Sequence, residues 1–148
     1  MGWLAPRGLA RHGDLALLLT RLFVGAFLVW GVWDNVVSPA RMAEFEAFLR
    51  GLNCPLPELA APLSVWAQLL AGLALVAGLA TRWAGLLLSV NFVVATVLLA
   101  GAGAGIRDLY DPAVLVFVGL LLATFGGGRL ALDALAAGRL TGRRAVPT

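Results

Sequence analysis

The sequence predicts an all-α membrane protein: a four-transmembrane-helix bundle with both termini in the cytoplasm. A short amphipathic helix is expected between spans one and two, and another after span four. Three observations carry this prediction. Of 148 residues, 61% are hydrophobic and only 13% are charged, with a mean hydropathy of +0.92; a soluble domain carries about 25% charged residues. No charge interrupts Ala60 to Thr81, and at about 1.5 Å per residue such a run crosses a hydrocarbon core of about 30 Å. Finally, the arginines gather on one side of the predicted topology.

In chain order, residues 1–14 form a flank containing Arg7 and Arg11. Span one follows at about 15–36. A basic flank before an apolar run resembles a signal peptide, but this run is too long for a signal core. No small-x-small site follows Trp33 either, so the span is expected to be retained. Ser38-Pro39 opens the first amphipathic helix, serine as cap and proline in the first turn. Met42, Phe45, Phe48 and Leu49 recur at steps of three and four. Arg41, Glu44, Glu46 and Arg50 take the other positions, and Gly51 ends the helix. It is too short and charged to span, so it is expected at the interface. Asn53-Cys54-Pro55-Leu56-Pro57-Glu58 leads onward as a proline-stiffened loop.

Span two is expected at about 59–80 and span three at about 83–100. Small residues four apart, Ala67 with Ala71 and Ala74 with Gly78, let helices approach closely in lipid. Only a few residues around Arg82 join the two spans, which makes them antiparallel neighbours. Arg82 is read as ending span two, where a cation suits the helix dipole. Gly101 to Asp111 reads as a glycine-rich loop carrying Arg107, Asp108 and Asp111, and span four as about 110–125. Gly126-Gly127-Gly128 breaks it, Arg129 to Leu140 forms the second amphipathic helix, and 141–148 is a cytoplasmic tail.

Orientation follows from arginine placement. Arg7, Arg11, Arg82, Arg129, Arg139, Arg143 and Arg144 share one side, with Arg21 near it. The other side holds Arg41, Arg50 and Arg107. The positive-inside rule makes the first side cytoplasmic. One cysteine, Cys54, excludes an internal disulfide, and with a single histidine, His12, no metal site is expected. Basic residues scattered among membrane spans give no nucleic-acid surface.

Polar side chains inside lipid are the informative exceptions, because an unpaired one costs several kcal/mol. Gln68 and Asn91 sit mid-span on neighbouring helices. They either bond one another as interhelical glue or meet a ligand carbonyl. Phe23, Phe27, Trp30 and Asp34 share a face of span one. That face is either an aromatic wall ending in a proton-exchanging carboxylate or an interfacial belt. Arg21 is expected to snorkel to the interface or to meet an acid from the last helix, Asp133 being the nearest.

Four features together resemble the DoxX family of small four-helix membrane proteins. They are Arg21, Gly25 and Gly31 in span one, Gly72 to Arg82 at the end of span two, Gly126 to Asp133 after span four, and the short loop helix. The likeness covers about residues 15–135. It implies a bacterial cytoplasmic (inner) membrane location and an accessory or small subunit of a quinone-linked redox system. Relatives are linked to thiosulfate–quinone oxidoreduction and to membrane oxidative-stress complexes. Asp34, Trp30, Gln68 and Asn91 are then the ligand candidates, and Arg21, Arg82, Arg129 and Asp133 the structural ones. No intrinsic cofactor is expected, so a quinone or a partner subunit supplies the redox group. The alternative is a non-catalytic scaffold, in a complex or as a homo-oligomer. Two departures stand out: the family often has glutamate where Gln68 stands, and a His-Gly pair with a following lysine where Trp30, Gly31 and Asp34 stand.

Overall fold

The computed structural model describes residues 12–136. The flank through Arg11, the tail 141–148, and Arg139, Arg143 and Arg144 lie outside the described residues. Most of the described residues lie in five helices: α1 (Gly13–Val37), α2 (Pro39–Gly51), α3 (Pro57–Ala77), α4 (Thr81–Gly101) and α5 (Ile106–Phe125). Four of them, α1, α3, α4 and α5, are long and apolar enough to cross a membrane. Only 17% to 33% of each span's most apolar window is buried within the chain. The remaining apolar surface has to be covered by lipid or by another membrane helix.

The spans pack as two pairs, each closed by a mutual glycine contact. A Cβ on Gly25 would stand 2.7 Å from the Gly72 carbonyl oxygen, and one on Gly72 would stand 2.9 Å from that of Gly25. Likewise a Cβ on Gly85 would meet the Gly119 oxygen at 2.6 Å, and one on Gly119 the Gly85 oxygen at 2.7 Å. Ser89 reinforces the second pair, its hydroxyl donating to the Val116 carbonyl of α5 at 3.0 Å. The pairs repeat one pattern. Gly72, Leu73, Leu75 and Arg82 recur at the same spacing as Gly119, Leu120, Leu122 and Arg129. Gly25 and Leu28 recur as Gly85 and Leu88. Leu28, Leu75, Leu88 and Leu122, one per span, are fully buried and meet in the main core. A second core of Val32, Val65 and Leu69 lies under Met42 and Phe45 of α2.

Three helix ends close with the same motif. A residue in the left-handed region follows the helix, and the next N–H reaches back five residues. Asn53 does this for α2, Gly78 for α3 and Gly103 for α4. The returning bonds are Cys54 N to Leu49 O, Leu79 N to Ala74 O and Ala104 N to Leu99 O, each 3.0 Å.

Several boundaries differ from the expected ones. Span two ends at Ala77, because Gly78 turns the chain left-handed. Arg82 therefore does not close span two: it lies in the first turn of α4, where the dipole disfavours a cation. Span four begins earlier, at Ile106, inside the expected loop. Gly105 accepts from the N–H groups of Asp108 and Leu109, and Asp108 in the first turn suits the dipole. Pro112 lies within the helix. After span four, helix resumes over residues 132–136 and not at Arg129. The rest of the expected helix, through Leu140, lies outside the described residues.

Candidate functional site: an apolar crevice with an amide chain

Where α3 meets α4 near their connecting turn, Ala71, Leu75, Ala84 and Leu88 fill the space between them. Toward α2 the two helices part, leaving a crevice of about 370 Å³. Its walls come from Leu63, Ala67, Leu87, Val90 and Val94, among others, with Phe92 behind them. The amphipathic helix forms its roof through Phe45 and Phe48, stacked with centroids 6.4 Å apart. Cys54 lies in the same lining as a free thiol. Among the described residues no acidic or basic side chain lines the crevice.

Its polar groups form one chain. Gln68 Nε2 donates to Ser64 Oγ at 3.1 Å, and Ser64 Oγ donates to Asn91 Oδ1 at 2.9 Å. The sequence places Gln68 and Asn91 on neighbouring helices, and the structure brings them together through a third residue. Ser64 is one helical turn before Gln68, a spacing that marks a shared face. That spacing was the signal available for it. All three side chains are half-buried and border the crevice.

Asp34 and Trp30 do not join them. They border a separate hollow with Gly31 and Trp33. Trp30 is 84% exposed and Phe23 75%, as an interfacial aromatic belt requires. The Asp34 carboxylate accepts from Arg41 Nε at 3.0 Å, and Arg41 also pairs with Glu44. Asn35 donates to the Arg41 carbonyl at 3.0 Å, so the end of span one fixes the start of α2. Arg50 fixes its other end, to Glu46 at 2.6 Å and to Glu58 of α3 at 3.2 Å. These partners raise both arginines' pKa, side-chain hydrogen bonds to Asp34 and to Glu46 leading. The pairs are exposed, so each is worth little energetically; they link α2 to α1 through Asp34 and to α3 through Glu58.

The structural candidates gather at the opposite end of the bundle. Arg21 does not snorkel: it is 2% exposed. It makes no direct ion pair with Asp133, although its charge helps to hold that carboxyl low. Its guanidinium donates to the Leu75 carbonyl at 3.2 Å and the Leu130 carbonyl at 2.7 Å. Asp133 instead caps span three, accepting from Ala80 N at 2.7 Å and Thr81 N at 2.9 Å. Its own N–H donates to the Gly78 carbonyl at 3.0 Å. Arg129 contributes its backbone N–H, which donates to Asp14 at 2.9 Å. Arg82 is exposed, with Gly126 against its guanidinium.

Burial pulls the Asp133 carboxyl upward, but the N–H groups of Thr81 and Ala80 outweigh it. The result lies below the ordinary 3.8. A folded-state pKa below the unfolded one stabilises above the unfolded value, and that stability is lost as pH falls through the folded value. Acid titration of the purified protein should therefore show an unfolding limb beginning below pH 3.8. Asp133→Asn should flatten that limb while lowering stability at pH 7. An unchanged limb would assign acid sensitivity to another carboxylate.

Among the described residues no group of three or more histidine, cysteine or acidic side chains could hold a metal ion. Neither curated proteins nor solved structures give a match to this chain. The DoxX family model matches residues 16–101. That stretch runs from span one through span three and contains the roof helix, the crevice lining and all three members of the amide chain. The chain is a member of the DoxX family of membrane proteins.

Proposed function

We propose that this protein is the membrane subunit of a quinone-linked redox system and holds the carrier in the crevice between α3 and α4. The observation that carries this reading is the Gln68–Ser64–Asn91 chain inside an otherwise apolar, uncharged lining. A volume of about 370 Å³ falls within the range of about 300–1,000 Å³ typical of small-molecule sites. An apolar wall with a few convergent polar groups suits a flat, lipid-soluble ring bearing oxygen. The electron donor or acceptor belongs to a partner subunit. The arginine distribution supports a bacterial cytoplasmic-membrane setting with both termini inside.

The test is thermal unfolding of the full chain in detergent with a decyl-substituted benzoquinone or benzoquinol. A Cys54→Ser background prevents the thiol from adding to the quinone. A ligand at a hundred times its Kd stabilises by about 2.7 kcal/mol, a rise of several degrees at this chain length. Gln68→Leu and Asn91→Leu should each shrink the rise, and Asp34→Ala should leave it intact. No rise with either redox form would overturn the reading and favour a non-catalytic scaffold.

A further inference from the structure

Resting on that reading, we infer that the crevice selects the reduced carrier: it is built for an uncharged hydroxyl that both donates and accepts. The amide chain itself carries the argument. Ser64 has one hydroxyl proton, so it links the two amides in a fixed sense. With Gln68 donating to Ser64 and Ser64 donating to Asn91, two groups are left over. The Asn91 NH₂ is a free donor and the Gln68 carbonyl a free acceptor. Turning both amides over reverses the chain and merely exchanges the roles, giving a free Gln68 NH₂ and a free Asn91 carbonyl. Either way one amide is left with its whole NH₂ unbonded and the other with its whole carbonyl unbonded. Both amides bond the same oxygen, within 3.1 Å, so one small head group can meet both.

A quinone carbonyl only accepts. It would satisfy the NH₂ and leave the amide carbonyl facing apolar wall, and a desolvated acceptor without a donor is costly. A quinol hydroxyl satisfies both. The lining also removes the commonest competitors. With no charged side chain in the lining among the described residues, neither a phospholipid phosphate nor an ionised fatty acid finds a counter-charge there.

The experiment compares three probes on the full-length Cys54→Ser protein in detergent: decyl benzoquinol, decyl benzoquinone, and the quinol's dimethyl ether, which accepts but cannot donate. Affinities are read by isothermal calorimetry under anaerobic conditions. The quinol should bind at least tenfold more tightly than the other two. Gln68→Met, which keeps the length and removes both polar ends, should reduce that ratio to near one while retaining weak binding of all three. Quinone or ether binding as tightly as quinol would overturn the selectivity and leave the proposed function standing. Binding of none would remove both.

Discussion

Gly85→Ala is expected to lower stability by about 1–3 kcal/mol, the cost of overpacking a tight interior, as read by thermal or denaturant unfolding in detergent. The added methyl would stand 2.6 Å from the Gly119 carbonyl oxygen and 2.7 Å from the Ala123 amide nitrogen. Both neighbours are helix backbone, so no side chain can rotate away. α4 and α5 must move apart instead, which stretches the Ser89 bond to Val116 and opens the core around Leu88 and Leu122. In lipid, helix association rests on such close packing and on interhelical hydrogen bonds, so separation is not offset by gained water. Gly25→Ala should behave alike, since its methyl meets the Gly72 carbonyl oxygen at 2.7 Å. The control is Gly31→Ala, where nothing lies within 4 Å of the new atom. There alanine's helix propensity should leave stability unchanged or raise it by up to about 1 kcal/mol. Equal losses at Gly85 and Gly31 would show that glycine acts through helix flexibility and not through contact.

Those two glycine contacts also mark what the sequence makes legible. Four spans, a short loop helix and a tight turn follow from hydropathy, capping and length. All are physical constraints local to a few turns of helix. Which small residues touch was less legible. Ala67, Ala71, Ala74 and Gly78 have the right spacing for close helix approach. Ala71 does sit in the α3–α4 contact, with Ala74 packed on the same core, but the backbone-to-backbone approaches are Gly25 with Gly72 and Gly85 with Gly119. Spacing defines a stripe on one helix but not its register against the next. The repeat relating Gly72, Leu75 and Arg82 to Gly119, Leu122 and Arg129 was available in the sequence and would have supplied that register. The amide chain was half legible. Gln68 and Asn91 stand out as polar groups in apolar runs, whereas Ser64 is small enough to pass as helix filler. Asp34 stands out in the same way, as an acid at the end of a membrane span. Its partner, Arg41, lies across a helix break at Ser38, and a period of 3.6 carries no information past such a break.

Arg21→Met is expected to cost about 2–4 kcal/mol and to release the segment after span four. Arg21 is the clearest departure from sequence expectation: a cation of this type normally reaches water, and here it is 2% exposed. Its Nε makes no hydrogen bond. Methionine would relieve the burial of a charge, a gain that pulls against the loss. Two bonds from a charged donor are worth about 1.5–3 kcal/mol each, and the Leu130 carbonyl would then lose its guanidinium donor. The Leu75 carbonyl already accepts from Gly78 N at 3.2 Å, so most of the loss falls on Leu130. Release of Leu130 should weaken the adjacent bonds of Asp133 to Ala80, Thr81 and Gly78. Hydrogen exchange by mass spectrometry should therefore show faster exchange around residues 128–136 and at the start of α4, with the middles of the spans protected. Arg21→Lys distinguishes charge from geometry: one ammonium carries the same charge but not a planar fork reaching two carbonyls. If lysine restores slow exchange, charge near Asp133 is the tie. If lysine behaves like methionine, the tie is the guanidinium's shape, as the Leu75 and Leu130 distances require.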